Sequence, residues 1–195
     1  FGGRMAWLPD GSMLVTERPG RLRLIKEGRL VPEPVSGLPE ILALRQGGLL
    51  DETLHPNFAE NGFLYLSYSA GTNDANATVA VRAKYADGKL SDVKQIFRAS
   101  PDKKNGFHFG ARFLWLPDGS LLLTLGDGNF HRDRAQFLDN HFGKIVRLKD
   151  DGASASGNPF YPRTDALPEV WSYGHRNVQG IAIDPTSGRV FATEH

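Results

Sequence analysis

Short apolar runs separated by turn residues recur along this chain, and two of these stretches are nearly identical. The opening string FGGRMAWLPDGSMLVT returns as FGARFLWLPDGSLLLT at residues 109–124. In both copies an apolar run leads into Pro-Asp-Gly, in which proline fixes φ and glycine accepts a positive φ. A second apolar, β-competent run follows. The pattern predicts a strand, a tight turn and a returning strand.

Two looser copies of this hairpin lie at residues 52–68 and 181–195. Each has a proline at the end of one run, then a glycine-containing turn and a β-rich run. The segments between hairpins, such as GRLRLIKEGRLVPEPV and GKIVRLKDDG, carry a second pair of predicted strands. Because no segment repeats its apolar residues every 3.6 positions over a long stretch, we expect few helices, all of them short.

Four strands per unit of roughly 50 to 60 residues, with inner strands that are almost wholly apolar, are typical of β-propeller blades. We therefore predict an all-β chain with a single β-propeller domain over residues 1–195. The predicted blades span about 1–43, 44–100, 101–172 and 173–195, the last of them partial. Propellers close with about four to eight blades. We therefore expect half of a larger propeller, with a four-bladed ring as the alternative, and an open blade edge favours self-association.

Composition excludes several classes of function. The net charge is +1 and the basic residues are scattered, so no electrostatic footprint for nucleic acid is present. The chain has no cysteine, which rules out disulfides, thiolate nucleophiles and cysteine-ligated metals. No apolar run approaches the roughly 20 residues that a membrane-spanning helix needs.

One candidate pair of catalytic side chains lies on the third hairpin. His108 stands just before the first strand, and Asp127 follows the second. Because hairpin strands are antiparallel, the start of one lies beside the end of the other. The carboxylate is then placed to orient the imidazole, as a general base requires. A lone loop histidine is more often a surface or capping residue, and spacing alone does not separate these interpretations.

Two further strings carry polar side chains between hairpins. Arg176 and Asn177 in GHRN offer a planar guanidinium fork and an amide donor, which suit a carboxylate or quinone oxygen. A surface turn that bonds its own backbone is the alternative. Gln46, beside two glycines, is a weaker candidate for a polar residue lining the channel.

The remaining polar motifs indicate structural roles. His55, His131 and His141 lack the spacing of zinc ligands, and no HExxH, GxSxG, Walker or Rossmann motif is present. The string GTNDANAT is rich in oxygens that could bind calcium. It lacks the EF-hand spacing and the terminal glutamate, so we expect a solvated loop. Metal ligands are therefore left unassigned.

Taken together, five strings in order resemble one family, the soluble quinoprotein sugar dehydrogenases of the glucose/sorbosone type, which are six-bladed propellers that carry pyrroloquinoline quinone (PQQ). The strings are LPDGSMLVTERPGRLRLI, RQGGLLDETLHPNF, HFGARFLWLPDGSLLLTLGDG, AQFLDNHFGKIVRL and ALPEVWSYGHRNVQGIAIDPTSGRVFATEH. They cover nearly the whole chain. The HFGxR and AQxLxxHxGKIxRL patterns are closest to the aldose sugar dehydrogenase branch.

The resemblance implies an enzyme that oxidises the anomeric hydroxyl of an aldose to the lactone, with hydride transfer to PQQ. It implies that His108 is the general base and that Asp127 supports it. Arg176 and Asn177 match the pair that bonds the reactive quinone carbonyl, and Gln46 matches a residue at the mouth of the sugar and cofactor site. Calcium beside PQQ, a dye, quinone or cytochrome as electron acceptor, and a periplasmic or secreted location are implied as well.

Two departures from the family pattern stand out. Ala111 occupies a position that is usually Gly or Ser, and Phe107 precedes His108 where the glucose branch has an acidic residue. The family continues after ATEH with a Gly-Pro stretch that helps hold calcium, and later blades add basic residues that grip the cofactor. We therefore expect the 195-residue chain alone to retain PQQ weakly and to be inactive as a fragment.

Two other functions are compatible with a propeller sequence. A six-bladed propeller can serve as a non-catalytic binding module, since a fold does not fix a function. The joint presence of His108, Asp127, Arg176 and Asn177 argues against that alternative. A metal-dependent lactonase propeller would need several Glu, Asn and Asp ligands converging on one calcium, and no such set can be assembled from the sequence.

Overall fold

In the computed structural model, which describes residues 3–195, the strands form four consecutive antiparallel sheets. The first sheet contains β1 (Met5–Trp7), β2 (Met13–Glu17), β3 (Arg21–Lys26) and β4 (Arg29–Leu30). The second contains β5 (Leu49–Leu54), β6 (Phe63–Gly71), β7 (Asn76–Ala86) and β8 (Lys89–Arg98). The third contains β9 (Gly110–Trp115), β10 (Leu121–Leu125), β11 (Lys144–Leu148) and β12 (Val170–Tyr173). The fourth pairs β13 (Val178–Ile183) with β14 (Val190–Glu194).

Strand order in the first three sheets follows the chain, so each is a four-stranded meander, and the fourth is a single hairpin. This is the arrangement of three and a half propeller blades, which confirms the predicted all-β propeller class. The predicted helix content is confirmed too. The described residues contain α1 (Phe58–Asn61) and one 3₁₀ helix (Arg132–Gln136). The exact blade boundaries stay a prediction.

The two nearly identical hairpins form the same turn. In each, the N–H of a leucine bonds a serine carbonyl four residues later, from Leu8 to Ser12 and from Leu116 to Ser120, both at 2.8 Å. The aspartate of each Pro-Asp-Gly accepts from the same serine's N–H, and each glycine has a positive φ of about 80°. Repetition of the sequence therefore reflects repetition of one turn geometry.

Packing between sheets explains why the inner strands lack alternation. All five residues of β10 are buried. Leu121, Leu123 and Leu125 pack toward the second sheet, against side chains that include Tyr65 and Phe97. Leu122 packs on the opposite face with Ile181 of the fourth sheet. A strand covered on both faces is apolar throughout.

Polar contacts tie the inner strands of neighbouring sheets together. The Arg112 guanidinium on β9 donates to the carbonyls of Leu50 on β5 and Gln179 on β13, at 2.8 and 3.1 Å. These contacts bring the segments that precede β5, β9 and β13 to one place, where the candidate site lies. Across residues 3–195 no helix has both the length and the apolar character to cross a membrane.

Candidate functional site

His108 and Asp127 form a buried hydrogen-bonded pair, in line with the antiparallel hairpin that carries them. Gly110 at the start of β9 lies opposite Leu125 at the end of β10. The His108 Nδ1 and the Asp127 Oδ1 are 2.7 Å apart, and the two residues are 8% and 1% exposed. A carboxylate at Nδ1 fixes the tautomer and leaves Nε2 for chemistry. Nε2 has no hydrogen-bond partner in the described part of the chain.

The backbone around His108 is held in an uncommon conformation. His108 has a φ of 50°, in the left-handed region that few non-glycine residues adopt. Its N–H donates to the Gln46 Oε1 at 3.0 Å, and its carbonyl accepts from the Gly128 N–H at 3.3 Å. A Cβ on Gly126 would lie 2.1 Å from the same carbonyl oxygen, so this approach requires glycine.

Arg176 joins the pair from the loop between β12 and β13. Its guanidinium donates to the Asp127 Oδ2 at 2.7 Å and to the Asn129 Oδ1 at 3.2 Å. The backbones of the two residues are also hydrogen-bonded, since the Asp127 N–H donates to the Arg176 carbonyl at 2.8 Å. The Arg176 side chain is 38% exposed, so it keeps donor capacity for a ligand.

Asn177 lies close by but makes a different set of contacts. It is 1% exposed, and its Oδ1 accepts from the Gly110 N–H and the Gln179 Nε2, both at 3.1 Å. It thereby fastens the start of β9 to β13. The structure does not join Asn177 by hydrogen bonds to His108, Asp127 or Arg176.

Gln46 reaches the site through the backbone of His108. Its N–H donates to the Gly106 carbonyl at 2.9 Å, while its Oε1 accepts from the His108 N–H. The Gln46 Nε2 has no hydrogen-bond partner among residues 3–195. Gln46 therefore anchors the histidine segment and keeps one free donor.

Sequence reasoning missed three residues of this cluster. The Asn129 side chain accepts from Arg176, and its N–H donates to the Asp127 Oδ1 at 2.7 Å. The His195 ring lies nearly parallel to the His108 ring, with centroids 6.0 Å apart. Lys103 is buried, and burial lowers its pKa to about 7, although the negative charge of Asp127 acts to raise it. Asn129 could have been found from the string LGDGN, whereas the polar string PDKKNG gave no sign of a buried lysine.

The other histidines make structural contacts, as expected from their spacing. His141 accepts from the Ser100 N–H at 2.8 Å and bonds Glu169 at 2.8 Å. The Nδ1 of His55 accepts from the Asn57 N–H at 3.0 Å. No three His, Asp or Glu side chains of residues 3–195 converge as metal ligands.

The arrangement has a definite chemical capacity. A neutral imidazole whose Nδ1 is held by a carboxylate can accept a proton at Nε2. The Arg176 guanidinium, fixed by the same carboxylate, can stabilise negative charge on an oxygen. A base and a cationic donor joined through Asp127 fit the removal of a hydroxyl proton beside an electron-accepting oxygen.

Known proteins are similar to this chain in sequence and in fold. The aldose sugar dehydrogenase YliI of Escherichia coli strain K12 is 42% identical over 195 residues, which cover 98% of this chain and 52% of the relative. The crystal structure of the soluble aldose sugar dehydrogenase of E. coli in its apo form superposes with a TM-score of 0.93 at 40% identity, over 98% of this chain and 56% of that one. The structure of the PQQ-bound form of the aldose sugar dehydrogenase from Streptomyces coelicolor superposes with a TM-score of 0.80 at 30% identity. The match covers 100% of this chain and 55% of that one.

The chain spans about half the length of the relatives that it matches. The family profile described as Glucose / Sorbosone dehydrogenase matches residues 3–195. With a match over nearly all of its length, the chain belongs to the Glucose / Sorbosone dehydrogenase family.

Proposed function

We propose that this chain carries the base and the oxygen-stabilising side chains of a PQQ-dependent aldose dehydrogenase. The reaction oxidises the anomeric hydroxyl of an aldose to the lactone. The observation that carries the proposal is the buried chain of hydrogen bonds from His108 through Asp127 to Arg176, with both links at 2.7 Å. The PQQ-bound relative from S. coelicolor supports the choice of cofactor.

The donor set in this cluster fits PQQ, whose carboxylates and quinone carbonyls accept hydrogen bonds. The partly exposed Arg176 guanidinium and the free Gln46 Nε2 are the donors that would bind such oxygens. When bound, PQQ supplies a two-electron acceptor for the C1 hydride of the sugar. Asn177 contributes through its contacts with Gly110 and Gln179, which set the spacing between β9 and β13.

Each side chain then has one task. His108 takes the proton of the C1 hydroxyl at Nε2 while the hydride leaves C1, so that the C1–O bond becomes the lactone carbonyl. Asp127 stabilises the imidazolium that forms. Arg176 donates to the oxygen on which negative charge develops. The proton and the two electrons lost by the sugar are thus accounted for.

Calcium is a different case, because residues 3–195 contain no converging set of three His, Asp or Glu side chains. Calcium therefore has no part in the steps proposed for these side chains. As the family resemblance implies, we also propose an electron acceptor that regenerates the oxidised cofactor and a periplasmic or secreted location.

Because the 195-residue chain alone is expected to hold PQQ weakly, the proposal is tested on the full-length protein that contains it, with PQQ and calcium, glucose as the aldose, and a redox dye. We expect sugar-dependent dye reduction that falls about 10²- to 10⁴-fold in His108→Gln, the usual contribution of a general base. His55→Gln is the matched control, since the hydrogen bonds of that ring stay within its own turn, with Asn57 and Asn61. PQQ binding, followed by absorbance, should survive His108→Gln.

Two results would contradict the proposal. Full turnover in His108→Gln would remove the histidine as the base. Failure of the wild type to bind PQQ and to oxidise any aldose would favour the alternative, a propeller that binds a partner without catalysis. The buried His108–Asp127 pair with a free Nε2 is the observation that argues against this alternative.

A further inference from the structure

Lys103 is a buried lysine that none of these steps uses. It lies between β8 and β9 and is 6% exposed. Its backbone is pinned to the start of β7, since its N–H donates to the Asn76 carbonyl at 2.8 Å and its carbonyl accepts from the Asn76 N–H at 2.9 Å. The side chain therefore leaves from a fixed point.

The ammonium contacts both ends of the segment that carries His108. The Lys103 Nζ lies 3.6 Å from the centroid of the Phe109 ring and donates to the Asn105 carbonyl at 3.3 Å. A cation over an aromatic face is an attractive contact that strengthens when water is excluded. The stem of the side chain passes Gly128, where an added Cβ would lie 2.7 Å from the lysine Cδ.

The segment between these two contacts needs such support. Asn105 and His108 both have left-handed backbone, with φ values of 74° and 50°. Conformations of this kind persist only when the surroundings hold them. The Asn105 side chain also accepts from the Phe107 N–H at 2.9 Å. The Lys103 ammonium contacts both Asn105 and Phe109 and so bridges the two ends of this segment.

We propose that Lys103 is a positioning residue for His108, and that its ammonium clamps the segment 105–109 so that the imidazole meets Asp127. The inference rests on the proposed function only in treating His108 as the base. The clamp itself depends only on the position and the charge of the Lys103 ammonium.

The clamp responds to pH. Burial lowers the pKa of Lys103 to about 7, and the Asp127 carboxylate opposes this effect. The other titratable groups around the ammonium are His108 on its own segment and His131 and His141 on the loops before β11, while β7 presents the neutral Asn76. As pH rises through 7, the ammonium loses its charge and the contacts with Phe109 and Asn105 weaken.

The test follows the His108 Nδ1–H proton by NMR in the intact protein, assigned by its disappearance in His108→Gln. Three variants are compared: Lys103→Met removes the charge, Lys103→Arg keeps it at every pH, and Lys104→Met alters the exposed neighbour. We expect a protected signal in the wild type, Lys103→Arg and Lys104→Met at pH 6. In Lys103→Met we expect solvent exchange at least ten times faster.

The pH series gives a second measurement that does not depend on the folding of Lys103→Met. Between pH 6 and 8.5 the wild-type signal should lose protection faster than that of Lys103→Arg. The reason is that a lysine at this position loses its charge in this range, whereas an arginine keeps it. Equal protection in Lys103→Met and the wild type, or identical pH series for the wild type and Lys103→Arg, would overturn the inference. Neither readout needs turnover, so failure here is distinct from failure of the proposed reaction.

Discussion

Glu52 on β5 makes the stability of this protein depend on pH in an unusual direction. It is 3% exposed, and neither carboxylate oxygen has a hydrogen-bond partner among residues 3–195. Its neighbour Asp51 is well held, by the Arg4 Nε and the Phe113 N–H, both at 2.8 Å. Burial, and then the charge of Asp51, raise the pKa of Glu52 from 4.5 to about 8.

The sign of the effect follows from proton binding. Between pH 4.5 and 8 the folded protein keeps the Glu52 proton, whereas the unfolded chain has released it. The free energy of unfolding therefore falls as pH rises, by up to about 1.4 kcal/mol per pH unit. The contribution is fully present below pH 4.5 and is lost by pH 8. Over the whole interval it amounts to about 5 kcal/mol at most.

Glu52→Gln isolates this effect, since the amide keeps the shape of the side chain and cannot ionise. We expect the variant to be within about 1 kcal/mol of the wild type at pH 5 and about 4 kcal/mol more stable at pH 8. Urea unfolding followed by tryptophan fluorescence at pH 5, 6, 7 and 8 measures the difference. Glu60→Gln, at an exposed position on α1, is the matched control. A difference between Glu52→Gln and the wild type that does not grow with pH would refute the reasoning.

Two further predictions concern the site. Gly126→Ala places a methyl group 2.1 Å from the His108 carbonyl oxygen, so we expect the variant to be less stable by about 1–3 kcal/mol and to exchange the His108 Nδ1–H proton faster. Calorimetry measures the loss of stability, and an unchanged melting temperature would contradict the close approach. Arg176→Lys keeps the charge but loses the planar guanidinium that bonds both Asp127 and Asn129, so we expect sugar-dependent dye reduction to fall at least tenfold. If the variant turned over at the wild-type rate, a point charge at this position would be sufficient.

The parts of the fold that depend on local pattern could be predicted from the sequence. The Pro-Asp-Gly hairpins and the scarcity of helices followed from turn chemistry and from the absence of a 3.6-residue period. Proximity of His108 and Asp127 followed from the antiparallel pairing of β9 with β10. These features depend on residues close in sequence or on a single hairpin register.

Contacts between sheets could not be predicted in this way. The bond from Arg176 to Asp127 spans 49 residues and two sheets, and only the family resemblance indicated that both side chains belong to one site. The contacts of the Asn177 Oδ1 with Gly110 and Gln179 were not indicated by the sequence either, and the role of its amide donor toward a cofactor stays a prediction. Glu52 reads as a polar strand residue, yet both faces of β5 are covered, so its carboxyl is buried.

The shared carboxylate of Asp127 has a consequence for the way this site is assembled. One oxygen holds His108, which lies just before β9 of the third sheet, and the other holds Arg176, which lies in the loop that leads into β13 of the fourth. Any movement of the fourth sheet relative to the third therefore changes the hydrogen bonding of the base as well as the position of the guanidinium. Packing of Leu122 against Ile181 and the contact of Asn177 with Gly110 resist that movement. The geometry of the site thus depends on core contacts between blades. We expect the arrangement of His108, Asp127 and Arg176 to be lost before the hairpins themselves unfold.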